Sequence, residues 1–404
     1  MYAQVLKKNH IAKWAALSCT LIAALLSVAC EQDSIADRQL RIVPLDPPVR
    51  TYWPTNGWRV AEPGQVNMDP AGLQAMEDYA FASTGDETDR QGIRTDGVVI
   101  IKDGMLVYEN YTRGYAAETR HLTWSVSKSF VNTLYGIATR EGRVDIDNPA
   151  AQYYAPLRNA EHQEITLRHL LNMSSGLYWE ETYEYSPLKS SVIAMLYTRG
   201  RQDMAAFVAN QSMRAKPGTL VVYSSGDTNL LMGVLKQIIP AAEYAEYPWR
   251  QLFDPLGMQV TWERDASGTF VGSSYIYTSA RDLAKFGYLY LNDGVWEGRE
   301  LLPPGWVDFT RTPAQAYKTT PITEDNSSST YTAQWYANTG VPYAGVPQMW
   351  PDAPEDTFAA LGHWGQMLFV IPSLDMVIVR YGDDRDKTAF DANEFLKLVV
   401  AGVR

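Results

Sequence analysis

The sequence predicts an α+β fold: one antiparallel sheet built from both ends of the chain, flanked by N- and C-terminal helices, with a helical lobe inserted between its strands. Three observations predict it. An apolar run over 97–102 turns at Asp103-Gly104 into a second run over 105–111, the pattern of a β-hairpin with suitable turn residues. Two more runs rich in β-branched and aromatic residues, 366–371 and 376–381, lie near the C-terminus. The residues between these pairs carry helical spacing and helix caps instead.

Taken in order, the chain opens with Lys7, Lys8 and Lys13 and an uncharged run over 14–29. That run is shorter than the roughly 20 residues a spanning helix needs, and a basic flank followed by small residues marks a secretory leader. Residues 1–29 are therefore read as a signal peptide. The ending Leu26-Ser27-Val28-Ala29-Cys30 is similar to a bacterial lipoprotein cleavage box, although Ser27 stands where the box usually has Leu. On that reading Cys30 becomes the lipidated N-terminus, and the alternative is an ordinary cut near Ala29. Export follows from both, to the periplasmic face of a bacterial membrane as a lipoprotein or to the periplasm or medium as a soluble protein.

Cys19, the only other cysteine, lies inside the leader, so cleavage leaves no pair for a disulfide. Loss of Lys7, Lys8 and Lys13 leaves 32 basic residues of the original 35 against 46 acidic ones, a formal charge of −14, which excludes nucleic acid as a natural partner. No later apolar run could cross a bilayer, so the only membrane tie expected is the N-terminal lipid.

Residues 30–60 are polar, punctuated by Pro44, Pro47, Pro48 and Pro54, and read as a tether and lead-in segment. With no linker or repeat beyond it, 61–404 is one domain. Asp69-Pro70 caps a helix through about residue 83. After the hairpin comes a helix holding Ser125 and stopping near Gly142; 166–171 and the stretches around Met204, Leu231 and Trp249 are also helical. A capping box, Ser279-x-x-Asp282, opens a helix ended by Asn292-Asp293-Gly294. An amphipathic helix over about 390–403 closes the chain.

Chemistry centres on Ser125 and Lys128. Three residues apart on a helix, they share a face, so the amine can reach the hydroxyl and take its proton once burial lowers the lysine pKa. The pattern recurs at Ser186 and Lys189, where a plain structural reading suffices: Ser186 as N-cap, Pro187 at the first helical position, Lys189 in solvent. The apolar surroundings Trp124, Val126 and Phe130 favour the first copy. Tyr223, in a loop before a helix, reads either as a phenol that ionises near two cations and relays a proton, or as one more half-buried aromatic. Gly362 and His363 precede a strand, where close backbone approach could supply an oxyanion donor; His363 could equally be structural. No Gly-x-Ser-x-Gly elbow, zinc pattern or phosphate loop occurs, so neither an α/β-hydrolase nor a metal or other cofactor is inferred.

Together these segments resemble the serine hydrolases of the β-lactamase and penicillin-binding-protein superfamily, in particular the class C-like branch of esterases and 6-aminohexanoate-dimer hydrolases. The resemblance covers about 60–404 and rests on 124–130, 166–177, Tyr223-Ser224-Ser225, 280–287 and 362–372. It implies a β-lactamase/transpeptidase-like fold, with Ser125 as acylated nucleophile, Lys128 as base and Tyr223 as proton relay. It further implies an oxyanion site shared by the Ser125 N–H and an N–H near His363, and a substrate-facing tyrosine at Tyr178. Two departures matter. The family's Tyr-x-Asn is Tyr223-Ser224-Ser225, and the third box, read as His363-Trp364-Gly365 or as Ala360-Leu361-Gly362, lacks the carboxylate-binding lysine. The expected function is an exported serine hydrolase acting through an acyl-enzyme on small esters or linear amides. The alternatives are a β-lactamase or D,D-peptidase, and a non-catalytic binding protein of the same fold.

Overall fold

The computed structural model describes residues 42–404 apart from 83, 84, 86, 89, 184, 185 and 324–327. The leader over 1–29, Cys30 and the first part of the tether lie outside the described residues.

Eleven strands are present among the described residues: β1 (Thr95–Lys102), β2 (Met105–Tyr111), β3 (His121–Leu122), β4 (Val260–Trp262), β5 (Ile276–Thr278), β6 (Val295–Trp296), β7 (Arg299–Glu300), β8 (Tyr336–Ala337), β9 (Phe358–Gly362), β10 (Gln366–Ile371) and β11 (Met376–Gly382). Six form the main sheet in the order β2-β1-β11-β10-β9-β8, every neighbouring pair antiparallel. The two ends of the chain thus meet at the β1–β11 pair, as the sequence predicts. Asp103 and Gly104 both have positive φ, 52° and 74°, the conformation that two-residue hairpin turns require.

The apolar runs are continuous rather than alternating because both faces of the sheet are covered. Val98, Ile100, Ile378 and Phe369 face one side, packed with Leu73 and Met76 of helix α1 (Pro70–Ala80) and Phe395 and Val399 of the last long helix. Val99, Ile101, Val379 and Leu368 face the other, where the lobe lies. The lobe contains α2 (Ser127–Arg140) and α3 (Ser225–Ile238), and it is joined to the sheet by α4 (Ala280–Leu291); the last helix is α5 (Ala392–Ala401). Buried over all but its final two residues, α2 is the axis of the lobe.

Several local expectations are corrected. Ser279 does cap α4 by accepting from the Asp282 N–H, but the Asp282 carboxylate does not close the box; it accepts from the Gln259 N–H at 2.9 Å and pairs with Lys285 at 2.9 Å. The helix after the second Ser-x-x-Lys is Ser191–Tyr197, capped by Ser190 rather than Ser186, which lies in a turn. A three-stranded sheet, β3-β5-β4, goes unforeseen because strands of two or three residues show no period to read. The described end of the lead-in segment is clasped to the body: Arg50 pairs with Asp375 and donates to Asn292 at 2.6 Å, and Trp53 packs on Tyr288 and Trp296.

Arg380, on β11, is wholly buried, and Asp384 holds its two terminal nitrogens at 2.6 and 3.0 Å. The guanidinium also donates to Thr95 at 3.1 Å and to the Gly365 carbonyl at 3.0 Å, tying the central strand to the β9–β10 turn. Removing one partner of such a pair leaves a buried charge uncompensated. Asp384→Ala is therefore expected to lower stability by about 3–5 kcal/mol, measured by urea unfolding at neutral pH, with Gly365-side disorder visible as faster amide exchange in 362–366.

Candidate active site

Residues Trp124–Val126 form one tight helical turn that runs directly into α2, and Trp124 has φ 48°. A bulky side chain is rarely tolerated in that left-handed region, so the surroundings must over-determine it. They do so from both sides. Thr123 donates from its N–H to the Ile276 carbonyl at 2.9 Å, fastening the preceding chain to β5. The Trp124 ring meets Trp364 and His363 edge-on, with centroids 5.2 and 5.6 Å away, and Tyr275 at 6.2 Å. Three residues before Trp124, His121 faces the Leu122 carbonyl and the buried Asp96 carboxylate, each at 2.9 Å. Ser125 is held at the corner and remains half-exposed, so its hydroxyl can meet a substrate.

The Lys128 amine lies 2.8 Å from Ser125 Oγ and 3.2 Å from the Ser273 carbonyl. Only 2% of the residue is exposed. Loss of water pushes its pKa down to about 8, opposed by the negative charge of Glu181. Ser273 is itself fixed, since Asn229 donates to its Oγ at 2.7 Å and accepts from the Gly272 N–H at 3.0 Å. A buried amide thus sets the carbonyl that receives the amine.

Tyr223 enters from the loop before α3, with its ring 5.0 Å from the Lys128 amine and its hydroxyl in reach of Ser125 and Tyr336. The sequence brings Ser125, Lys128 and Tyr223 together from separate elements. One expectation fails: the phenol does not ionise easily. Burial, then the charge of Glu181, push its pKa well above the usual tyrosine range, and Lys128 is the cation that contacts its ring. At rest Tyr223 is a proton donor, not a phenolate.

Tyr178 does not join this group. It is 43% exposed, beside Glu180 and Arg214 on the surface. The tyrosine that faces the cleft is Tyr183, stacked on His363 at 4.9 Å and donating to Glu181 at 3.4 Å. Glu181 is the residue sequence reasoning misses altogether. Its carboxylate accepts from the Ser225 hydroxyl at 2.5 Å, the Ser225 N–H at 3.0 Å and the Trp179 indole. In a stretch without regular secondary structure, no periodicity separates Glu181 from its equally half-buried neighbour Glu180, so the sequence offers no signal.

The third box resolves in favour of the strand reading. Ala360-Leu361-Gly362 lie on β9, and His363 is the first residue of the turn that follows. Gly362 approaches the nucleophile turn so closely that a Cβ there would sit 2.4 Å from the Thr123 carbonyl oxygen. Backbone at Gly362 thus adjoins the nucleophile turn on this side. The turn itself is held by Arg385, stacked 3.2 Å over Trp364. Among the described residues no group of three His, Cys, Asp or Glu converges to hold a metal.

Comparison with known proteins agrees with this geometry. The Beta-lactamase family model matches residues 73–401. The chain is similar to the 6-aminohexanoate-dimer hydrolase of Paenarthrobacter ureafaciens, 26% identical over 297 residues that cover 71% of this chain and 72% of that protein. In three dimensions it is similar to a Bacillus anthracis protein assigned as a 6-aminohexanoate-dimer hydrolase, with TM-score 0.64, 22% identity, and 89% of this chain and 87% of that one covered. It is also similar to a family VIII carboxylesterase, with TM-score 0.59 and 14% identity over 83% of this chain and 98% of that one. At such identities the two structures speak for the fold alone.

The buried amine has a consequence for stability. A lysine whose pKa falls from 10.5 to about 8 on folding opposes folding fully below pH 8, and the penalty fades as pH rises from 8 through 10.5. Lys128→Met is accordingly expected to unfold at higher urea than the wild type at pH 7, by about 1–3 kcal/mol after allowing for the lost contacts to Ser125 and Ser273. The difference should shrink toward pH 10.

Proposed function

Because the chain belongs to the beta-lactamase family, we propose that it is an exported serine hydrolase that cleaves small esters or linear amides through an acyl-enzyme on Ser125. The observation that carries this reading is the 2.8 Å contact between the half-exposed Ser125 hydroxyl and the buried Lys128 amine, whose pKa of about 8 leaves a usable neutral fraction at physiological pH.

In the forward reaction Ser125 Oγ bonds to the substrate carbonyl carbon as its proton passes to neutral Lys128. The carbonyl oxygen, now an oxyanion, is met by the Ser125 N–H and by a backbone N–H at the end of β9 near Gly362 and His363. Each such donor is typically worth about 3 kcal/mol in the transition state. As the carbon–heteroatom bond breaks, Tyr223 gives its phenolic proton to the departing alkoxide or amine, and the Lys128 ammonium restores that proton. Water then attacks the acyl-serine by the same transfers in reverse. Holding Tyr223 protonated at rest suits this order, because the leaving group needs a donor before the base needs a second acceptor.

Ser225 in place of the amide-binding asparagine, and the missing lysine on β9, favour esters and linear amides over β-lactams or D-alanyl peptides. The same reading takes residues 1–29 as a leader and Cys30 as the lipid-bearing residue of a protein facing the periplasm, with no partner beyond its small-molecule substrate and the membrane lipid. Radiolabelled palmitate incorporation, lost in Cys30→Ala, tests that part.

Turnover is tested with a panel of p-nitrophenyl esters, linear amides and nitrocefin. Ester hydrolysis is expected in the wild type, with kcat lowered by roughly 10²–10⁴ in Lys128→Ala and Tyr223→Phe and no acyl adduct in the intact mass of Ser125→Ala. Tyr178→Ala should leave ester turnover within about twofold, as for surface changes generally. Nitrocefin turnover matching that of the esters would overturn the substrate assignment, and absence of fluorophosphonate labelling at Ser125 would overturn the mechanism.

A further inference from the structure

Glu181 takes no part in the steps above, yet it is firmly built into the cleft. Four donors from three residues converge on its carboxylate: the Ser225 hydroxyl at 2.5 Å, the Ser225 N–H at 3.0 Å, the Tyr183 hydroxyl at 3.4 Å and the Trp179 indole. With those donors supplied by the protein, the carboxylate does not wait for a ligand. It is a fixed charge.

Ser225 follows Tyr223 by two residues and Tyr183 stacks on His363, so these contacts set the carboxylate behind the groups the reaction uses. The Lys128 amine has two neutral oxygens as its hydrogen-bond partners, on Ser125 at 2.8 Å and Ser273 at 3.2 Å. When it takes the serine proton, an ammonium forms where water is absent, and an uncompensated cation there would be costly. Glu181 is the charged residue whose field acts on it; the same field falls on Tyr223, Tyr336, Tyr183 and Asp227. Standing off from the amine, the carboxylate stabilises the cation without locking it into an ion pair that could no longer accept a proton.

The sequence departure at Ser225 fits the same role. An asparagine there would present its amide to a substrate, whereas the shorter serine directs both its hydroxyl and its N–H to Glu181. The side chain at this position is thereby turned to the carboxylate and not to a substrate. Resting on the hydrolase reading above, we propose that Glu181 is a positioning residue that stabilises the Lys128 ammonium formed during acylation and disfavours substrates bearing a carboxylate close to the scissile bond.

The test compares wild type, Glu181→Gln and Asp227→Asn on two esters differing in one charge, p-nitrophenyl butyrate and p-nitrophenyl hemisuccinate, across pH 5–10. In Glu181→Gln the acid limb of kcat/KM is expected to move down by about one pH unit, since loss of a nearby anion favours the neutral amine. The wild-type preference for butyrate over hemisuccinate should be about tenfold and should collapse in the variant. Asp227, pushed up to about 7 by burial, titrates in the same range, so a limb that follows Asp227→Asn instead overturns the proposal. An unchanged limb and unchanged preference in Glu181→Gln also overturn it. Should that variant not fold, equal wild-type rates on the two esters suffice to reject it. Fluorophosphonate labelling of wild-type Ser125 separates the cases: without labelling the hydrolase reading itself fails, and with labelling only the role of Glu181 is at issue.

Discussion

A primary amine kept out of water beside a hydroxyl is the condition on which the rest of this structure turns. Water would hold Lys128 as a cation, and a cation cannot take a proton. Dryness has to be built, and the chain builds it by burying α2 on almost every side, within a lobe whose own helices must then pack on it. Two of the amides that burial strands are satisfied by side chains and backbone around them. Asn132 on α2 donates to the Ala333 carbonyl and accepts from Tyr290, Trp306 and Thr310. Gln334 accepts from Thr228 and donates to the Leu170 and Leu171 carbonyls. These contacts join the helices to the segment that leads into β8, through side chains whose loss would leave buried partners unpaired.

The sheet contributes a second constraint, proximity without side chains. β9 can approach the nucleophile turn because Gly362 carries no Cβ, and β9 is fixed in turn by a register running through β10 and β11 to β1. Both ends of the chain are thereby committed to placing one stretch of backbone beside Ser125. The buried Arg380–Asp384 pair serves the same end from below the turn, reaching the Gly365 carbonyl. Distant parts of the chain affect the site through this rigid route rather than by contact with a substrate.

What could be read from the sequence follows from how local each feature is. The hairpin at Asp103-Gly104, the Asp69 cap, the paired strands near the C-terminus and the Ser125–Lys128 spacing are written within a few residues, and each is found where the sequence puts it. Tyr223 was accessible only through resemblance, since its partners lie on other elements. Features set by tertiary surroundings were misread or missed. Tyr178 and Tyr183 differ by five positions in a stretch without period, and only the course of the loop decides which one meets His363. The Tyr223 pKa has the opposite sign from the sequence expectation because desolvation and Glu181 outweigh one partly neutral lysine. Asp282 abandons its capping role for the Gln259 N–H, a partner more than twenty residues away.

The two Ser-x-x-Lys copies show why spacing alone does not make a site. Ser186 and Lys189 share the pattern of Ser125 and Lys128, but Lys189 projects into solvent from a turn next to Leu188, which is 99% exposed. Water there surrounds the amine. At the first copy, Trp124 takes a left-handed conformation, at a cost of order 1–3 kcal/mol. That conformation turns the chain sharply enough for Ser125 to stand open while Lys128, one turn on, lies sealed. The aromatic contacts to Trp364, His363 and Tyr275 supply the offsetting energy, so the aromatic residues around the cleft are first of all a clamp on the backbone that separates an exposed hydroxyl from a dry amine.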